Sequence, residues 1–113
     1  MAIYPQILSA AVNVAAAGTR ELVAAPAAGI SIWVHAIHVG VAADATAKLL
    51  DSTPTDRTGT MPLYTDGNQN IDWPLTGGKE PYFKCAAGAA LQVTLVGAGG
   101  DMDGLILYSL QAG

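Results

Sequence analysis

Ile30-Ser31-Ile32-Trp33-Val34-His35-Ala36-Ile37-His38-Val39-Gly40-Val41 is the stretch on which the fold turns. Ile30, Ile32, Val34 and Ala36 share one parity, and Trp33, Ile37, Val39 and Val41 share the other. Successive side chains of a β-strand point to opposite faces, so the run reads as a strand that is apolar on both. Such a strand is covered on both sides. In a two-sheet sandwich only one face meets the core. The reading therefore puts Trp33, Ile37 and Val39 on an outer face covered by a loop or another subunit, and makes them candidate interface residues.

Just upstream, the segment from Leu22 to Ala43 carries no Lys, Arg, Asp or Glu and is long enough to suggest a membrane span. Pro26, Gly29, Ser31, His35, His38 and Gly40 argue against one, and a turn followed by a buried strand accounts for the same residues. Helical pattern is scarce, because the alanine runs at 15–17 and 24–28 are broken by Gly or Pro within a few residues.

Further strands are expected at Ile7 to Val14, Arg20 to Ala24, Thr46 to Asp51, Met61 to Tyr64, Asn70 to Trp73, Tyr82 to Cys85, Ala90 to Val96 and Gly104 to Leu110. Turn-forming clusters separate them at Ala17-Gly18-Thr19, Pro26 to Gly29, Thr65 to Asn68, Thr76-Gly77-Gly78, Ala87-Gly88 and Gly97 to Gly100. About 8–9 short strands with this punctuation describe an all-β chain, a single antiparallel β-sandwich that is jelly-roll-like. One domain covering residues 1–113 is expected, with residues 1–6 as an N-terminal arm. The longest loop is expected from Ser52 to Gly59.

Composition narrows the function classes. Hydrophobic residues make up 51% of the chain and charged ones 12%, about half the globular norm, so Ala, Gly, Ser and Thr must form much of a surface that tolerates close protein contact. The five basic residues, Arg20, Lys48, Arg57, Lys79 and Lys84, are scattered through a chain of net charge -4. Neutralising a run of phosphates or an anionic membrane needs clustered cations, so neither nucleic acid nor membrane is an expected partner. Cys85 is the single cysteine, which rules out an intrachain disulfide and fits folding in a reducing cytoplasm. Met1 to Gln6 lacks the basic flank and apolar run of a secretory signal, so export by that route is not expected.

No constellation in the sequence points to catalysis, a metal or a cofactor. His35 and His38 are the only histidines, and their odd spacing on one strand places them on opposite faces. No G-x-S-x-G elbow is present, and Gly97-Ala98-Gly99-Gly100 lacks the Lys-Ser/Thr and helix of a phosphate cradle. Asp101-Met102-Asp103-Gly104 begins like a calcium loop but lacks its spacing and terminal Glu, and reads as a polar hairpin turn. The expectation is a non-enzymatic structural or binding module. If it binds a ligand or partner through loops, the candidates are Tyr64, Asp66, Asn68 and Trp73, with the Trp73-Pro74 aromatic the most exposed.

Two phrases carry a resemblance. One runs from Arg20 to Val34, Arg-Glu-Leu-Val-Ala-Ala-Pro-Ala-Ala-Gly-Ile-Ser-Ile-Trp-Val; the other runs from Pro81 to Leu95, Pro-Tyr-Phe-Lys-Cys-Ala-Ala-Gly-Ala-Ala-Leu-Gln-Val-Thr-Leu. Together with the closing strand from Gly104 to Leu110, they resemble the small jelly-roll virion proteins of tailed bacteriophages, the head decoration and head-associated proteins. The segment from Asp51 to Gly78 departs from that pattern by its length and by Trp73-Pro74-Leu75. The resemblance implies a protein made in the host cytoplasm that joins the virion, associates with itself, often as a trimer, and contacts the major capsid protein or another virion protein. On that reading it decorates and stabilises the capsid. The alternative is a carbohydrate- or receptor-binding sandwich in a tail, fibre or head fibre.

Overall fold

The computed structural model describes residues 6–65, 69–72, 81–97 and 101–112. Ten strands are formed among them: β1 (Leu8–Val14), β2 (Gly18–Val23), β3 (Ile30–Val41), β4 (Ala45–Asp51), β5 (Thr55–Asp56), β6 (Met61–Leu63), β7 (Gln69–Asp72), β8 (Phe83–Lys84), β9 (Leu91–Val96) and β10 (Met102–Ala112). Each of the nine expected strands is present, with ends shifted by a residue or two. The tenth, β5, lies inside what the sequence reads as the long loop from Ser52 to Gly59.

The strands form two antiparallel sheets. One has the order β1-β10-β3-β7, with β8 also paired to β3; the other has the order β2-β9-β4-β5, with β6 also paired to β4. The chain passes back and forth between the sheets, and early strands pair with late ones, β1 with β10 and β2 with β9. That is the strand order of a jelly roll, a long antiparallel ribbon rolled into a sandwich. Pro62 stands in β6, at the margin of its sheet, where its missing N–H costs no central ladder bond.

Period-2 alternation builds the core. In β9, Leu91, Val93 and Leu95 are fully buried while Gln92 and Thr94 turn outward. Val12 and Val14 of β1, Ala47 and Leu49 of β4, and Met102 and Ile106 of β10 meet them from both sheets. Gly88 takes a φ of +74° in the turn between β8 and β9, and its amide donates to the Ile30 carbonyl at 2.8 Å. Gly104 has no room for any side chain, since a Cβ there would lie 1.9 Å from the His38 carbonyl oxygen.

The decisive strand departs from simple alternation. Tyr108 of β10 lies opposite Val34 and Leu107 opposite Ala36, so His35 is an extra residue, a β-bulge. Before the bulge the even-numbered Ile32 and Val34 face the core; after it the odd-numbered Ile37 and Val39 do. The strand is therefore not apolar on two faces along its length. It uses both parities for one face because the bulge exchanges them.

One further expectation is corrected, and another holds. Asp101 alone precedes β10; Met102, Asp103 and Gly104 are strand residues, and Met102 is buried, so these four residues are not a hairpin turn. The uncharged segment from Leu22 to Ala43 comprises the end of β2, a turn and β3, as its breakers imply.

Candidate interaction face

The residues proposed from sequence as an interface separate in space. Ile37 and Val39 are only 2% and 6% exposed and belong to the core, so they are not interface residues. Trp33, on the other side of the bulge, lies on the outer side of its sheet, opposite Ser109 and Lys84. Tyr64, just past β6, is 56% exposed. Asp66, Asn68 and Trp73 lie outside the described residues.

Cross-strand partners of an antiparallel ladder point the same way, which maps the outer side of the β1-β10-β3 sheet. Leu105 is paired with Ala11 and with His38, Leu107 with Ser9 and Ala36, and Asp103 with Asn13 and Gly40. Leu105 is 39% exposed, Ser9, Ala11, Asn13 and Asp103 are exposed, and Leu107, His38 and Trp33 are half-buried. Lys84 holds its ammonium 4.8 Å from the centre of the Trp33 ring, a cation–π contact that fixes the lysine over the face. The result is a patch of small and apolar residues exposed around Leu105, with Asp103 at one end; toward Lys84 at the other end, Ala36, His35 and Ser109 on the same side are buried. The opposite sheet presents Thr19, Glu21, Thr46, Lys48, Gln92 and Thr94, with Val96, 60% exposed, among them.

Beneath this face the bulge places a buried polar pair. His35 Nε2 lies 2.8 Å from Ser109 Oγ, to which the Gln111 amide also donates at 2.9 Å. His35 Nδ1 and Trp33 Nε1 are buried without a hydrogen-bond partner. Burial lowers the His35 pKa from its ordinary value, because an imidazolium would be poorly solvated there. With both His35 and His38 on the outer side, the opposite-face expectation for the two histidines fails; the extra residue adds one step to their spacing. No family model, curated protein or solved structure matches the chain.

Near the segment that follows Lys84, Asp51 closes β4 with no exposure at all. Its Oδ1 accepts the Thr53 amide at 3.0 Å, the Thr55 amide at 3.2 Å and the Thr53 hydroxyl. Its Oδ2 accepts Arg57 Nε at 2.9 Å, Arg57 Nη2 at 2.7 Å and the Ala86 amide at 2.9 Å. Burial alone would raise the carboxyl pKa, but the donors from Thr53, Ala86 and Arg57 outweigh it and hold the group well below the usual carboxylate range. One carboxylate thus ties the 52–58 loop to the segment after β8. Ser52 adds a second tie, exchanging hydrogen bonds with Ala90. The sequence gives a hint of this in Asp-Ser-Thr-Pro-Thr, since an aspartate readily accepts amides two residues on. The partners Arg57 and Ala86 leave no local signal.

Proposed function

We propose that the protein is a non-catalytic virion structural protein of a tailed bacteriophage, which attaches to the assembled capsid shell and stabilises it. The observation that carries this reading is the neutral outer face of the β1-β10-β3 sheet. Its small residues, with Leu105 and Trp33 among them, suit packing against another protein surface, where charged groups are depleted from the buried centre. The two phrases that resemble phage decoration proteins, from Arg20 to Val34 and from Pro81 to Leu95, run over parts of β2 and β3 and over β8 and β9.

The work of such a subunit needs no chemistry. A protein that binds the closed lattice and not its separated subunits stabilises the lattice by mass action, by about 2.7 kcal/mol per site at a hundredfold excess over Kd. It folds in the host cytoplasm and becomes part of the virion, in contact with the major capsid protein or another virion protein. The test is co-sedimentation with expanded, undecorated capsids of the encoding phage, alongside an established decoration protein as control. Saturable binding and a higher capsid disruption temperature are expected; failure to bind while the control binds overturns the reading.

Tyr64, at 56% exposure, favours a second reading as a carbohydrate- or receptor-binding module of a tail, fibre or head fibre. Glycan-array hits that disappear in Tyr64→Ala and Trp73→Ala would establish it. A blank array would remove it.

A further inference from the structure

We infer that the free edge of β1 pairs with the same edge of a second copy of this chain, joining two sandwiches into a two-fold symmetric dimer with one sheet running through both. The inference rests on main-chain hydrogen bonding at the side of the sandwich. It does not depend on the capsid reading, and it leaves the outer face of the sheet free for that contact.

β1 is the end strand of its sheet and pairs with β10 alone. In an antiparallel ladder, alternate residues turn their N–H and C=O groups away from the partner. Among the described residues, no main-chain hydrogen bond outside that ladder reaches those groups. Ser9, Ala11 and Asn13 are exposed and Leu8 and Ala10 half-buried, so the edge is open as well as unpaired.

The other edges of the two sheets carry the features that discourage pairing. β2 bears Arg20 and Glu21, and its register shifts between Glu21 and Val23. β5 and β8 have two residues each, one of them charged, Asp56 and Lys84. β6 has three residues and includes Pro62, and β7 has four and ends in Asp72. Among these edge strands β1 alone runs for seven residues with no charge, no proline and an unbroken register against its neighbour. A long, regular, uncharged edge is a template for a further strand.

The strand that fits this edge best is β1 itself. Antiparallel pairing about a two-fold axis through Ala11 sets Leu8 against Val14, Ser9 against Asn13, Ala10 against Val12, and Ala11 against its own copy. Every pair is then apolar with apolar or polar with polar. Just outside the strand, Ile7, 39% exposed, falls opposite the exposed Ala15 of the other copy. A slip of one residue would set core-facing side chains against outward-facing ones, and a slip of two would leave end residues unpaired and put Ser9 or Asn13 against Ala11. The two-fold register uses all seven residues and gives about six to eight main-chain hydrogen bonds.

Size sets the strength. Seven residues make an edge about 24 Å long, and two sheets about 10 Å apart with their side chains make it about 15 Å deep, roughly 350 Å² on each copy. Standard interfaces bury about 800 Å² on each partner, so the dimer is reversible and depends on concentration. The two-fold arrangement also differs from the trimer that the resemblance implies.

Sedimentation equilibrium of the purified chain from about 10 μM to about 1 mM tests the proposal, a range suited to a contact of less than standard size. The mass should rise from that of the 11.5 kDa monomer toward twice that value, and added sodium chloride should not reverse the rise, since no ion pair holds the contact. Ala11→Lys and Ala11→Glu should each be monomeric throughout, because each sets like charges directly opposite at the axis. Ala11 is exposed, so both variants should keep the thermal melt of the monomer. An equimolar mixture of the two should dimerise again, which only contact between the two copies' residue 11 explains. Directly opposed residues lie about 4.5–5.5 Å apart at Cα, within disulfide range, so Ala11→Cys should cross-link on mild oxidation. Asn13→Cys should not, because its partner is Ser9, and the native Cys85 is buried. A monomer at all concentrations, association that survives Ala11→Lys, a mixture that stays monomeric, or cross-linking of Asn13→Cys as fast as that of Ala11→Cys would each overturn the proposal.

Discussion

Replacing Asp51 by asparagine should remove a large share of the stability of this fold. The substitution keeps the shape of the side chain but withdraws the charge, and it puts an NH2 donor where one carboxylate oxygen had accepted three donors. Arg57, whose side chain is 29% exposed, then faces a neutral amide oxygen where a carboxylate had held its Nε and Nη2. Removing one partner of a buried ion pair costs about 3–5 kcal/mol. A domain of this size is stable by roughly 5–15 kcal/mol in total. At about 4–6 °C per kcal/mol, the melting temperature should fall by roughly 15–25 °C. Calorimetry or circular dichroism at pH 7 reads this directly.

The pH dependence supplies a second arm. The unfolded carboxyl titrates near 4, and the folded one well below it, so between those values the unfolded state binds more protons. The stabilisation from Asp51 is therefore complete above about pH 4 and is lost as pH falls through the folded pKa. The gap between wild type and D51N should narrow by about 1.4 kcal/mol per pH unit below pH 4. A variant that melts within about 3 °C of wild type at pH 7, or a gap that stays constant down to pH 2, would refute the reasoning.

Three other outcomes follow from the packing. Ile37→Ala empties a core position and should lower unfolding stability by about 2–5 kcal/mol in urea titration, with no change in self-association; the reverse pattern would put Ile37 back on an interface. Gly104→Ala forces a Cβ to within 1.9 Å of the His38 carbonyl oxygen and 2.8 Å of Val39 Cα, so it should destabilise by about 1–3 kcal/mol or more, whereas an unchanged melt would show that β3 and β10 are not this close. The Cys85 thiol is pushed up to about 12, first by burial and then by the Asp51 charge, with Arg57 opposing. It should not react with Ellman's reagent at pH 8 until the protein is unfolded in guanidinium, and rapid native reaction would contradict its placement.

Most of the strands were legible because their cues are local. Alternation in β1 and β9, β-branched residues, and glycine or proline punctuation act over a few residues, and they located nine of the ten strands. β5 escaped notice because Thr55 and Asp56 carry no hydrophobic pattern; they pair with Leu50 and Asp51 only once the Asp51 carboxylate has folded the loop back. The interface residues were misread for a different reason. Parity is a reliable guide to face until an extra residue enters the ladder, and nothing in the local sequence around His35 announces that it is that residue.

The sequence by itself determined that this is a helix-poor, low-charge β protein with a single core, because composition and short-range periodicity decide which backbone is affordable and which residues must leave water. Only the tertiary structure decided which side of β3 meets the core, that Asp51 gathers Thr53, Thr55, Arg57 and Ala86, and that Lys84 rests on Trp33. Those facts depend on strand register between residues far apart in the chain, and register is set by the fit of both sheets at once, a quantity no single segment contains.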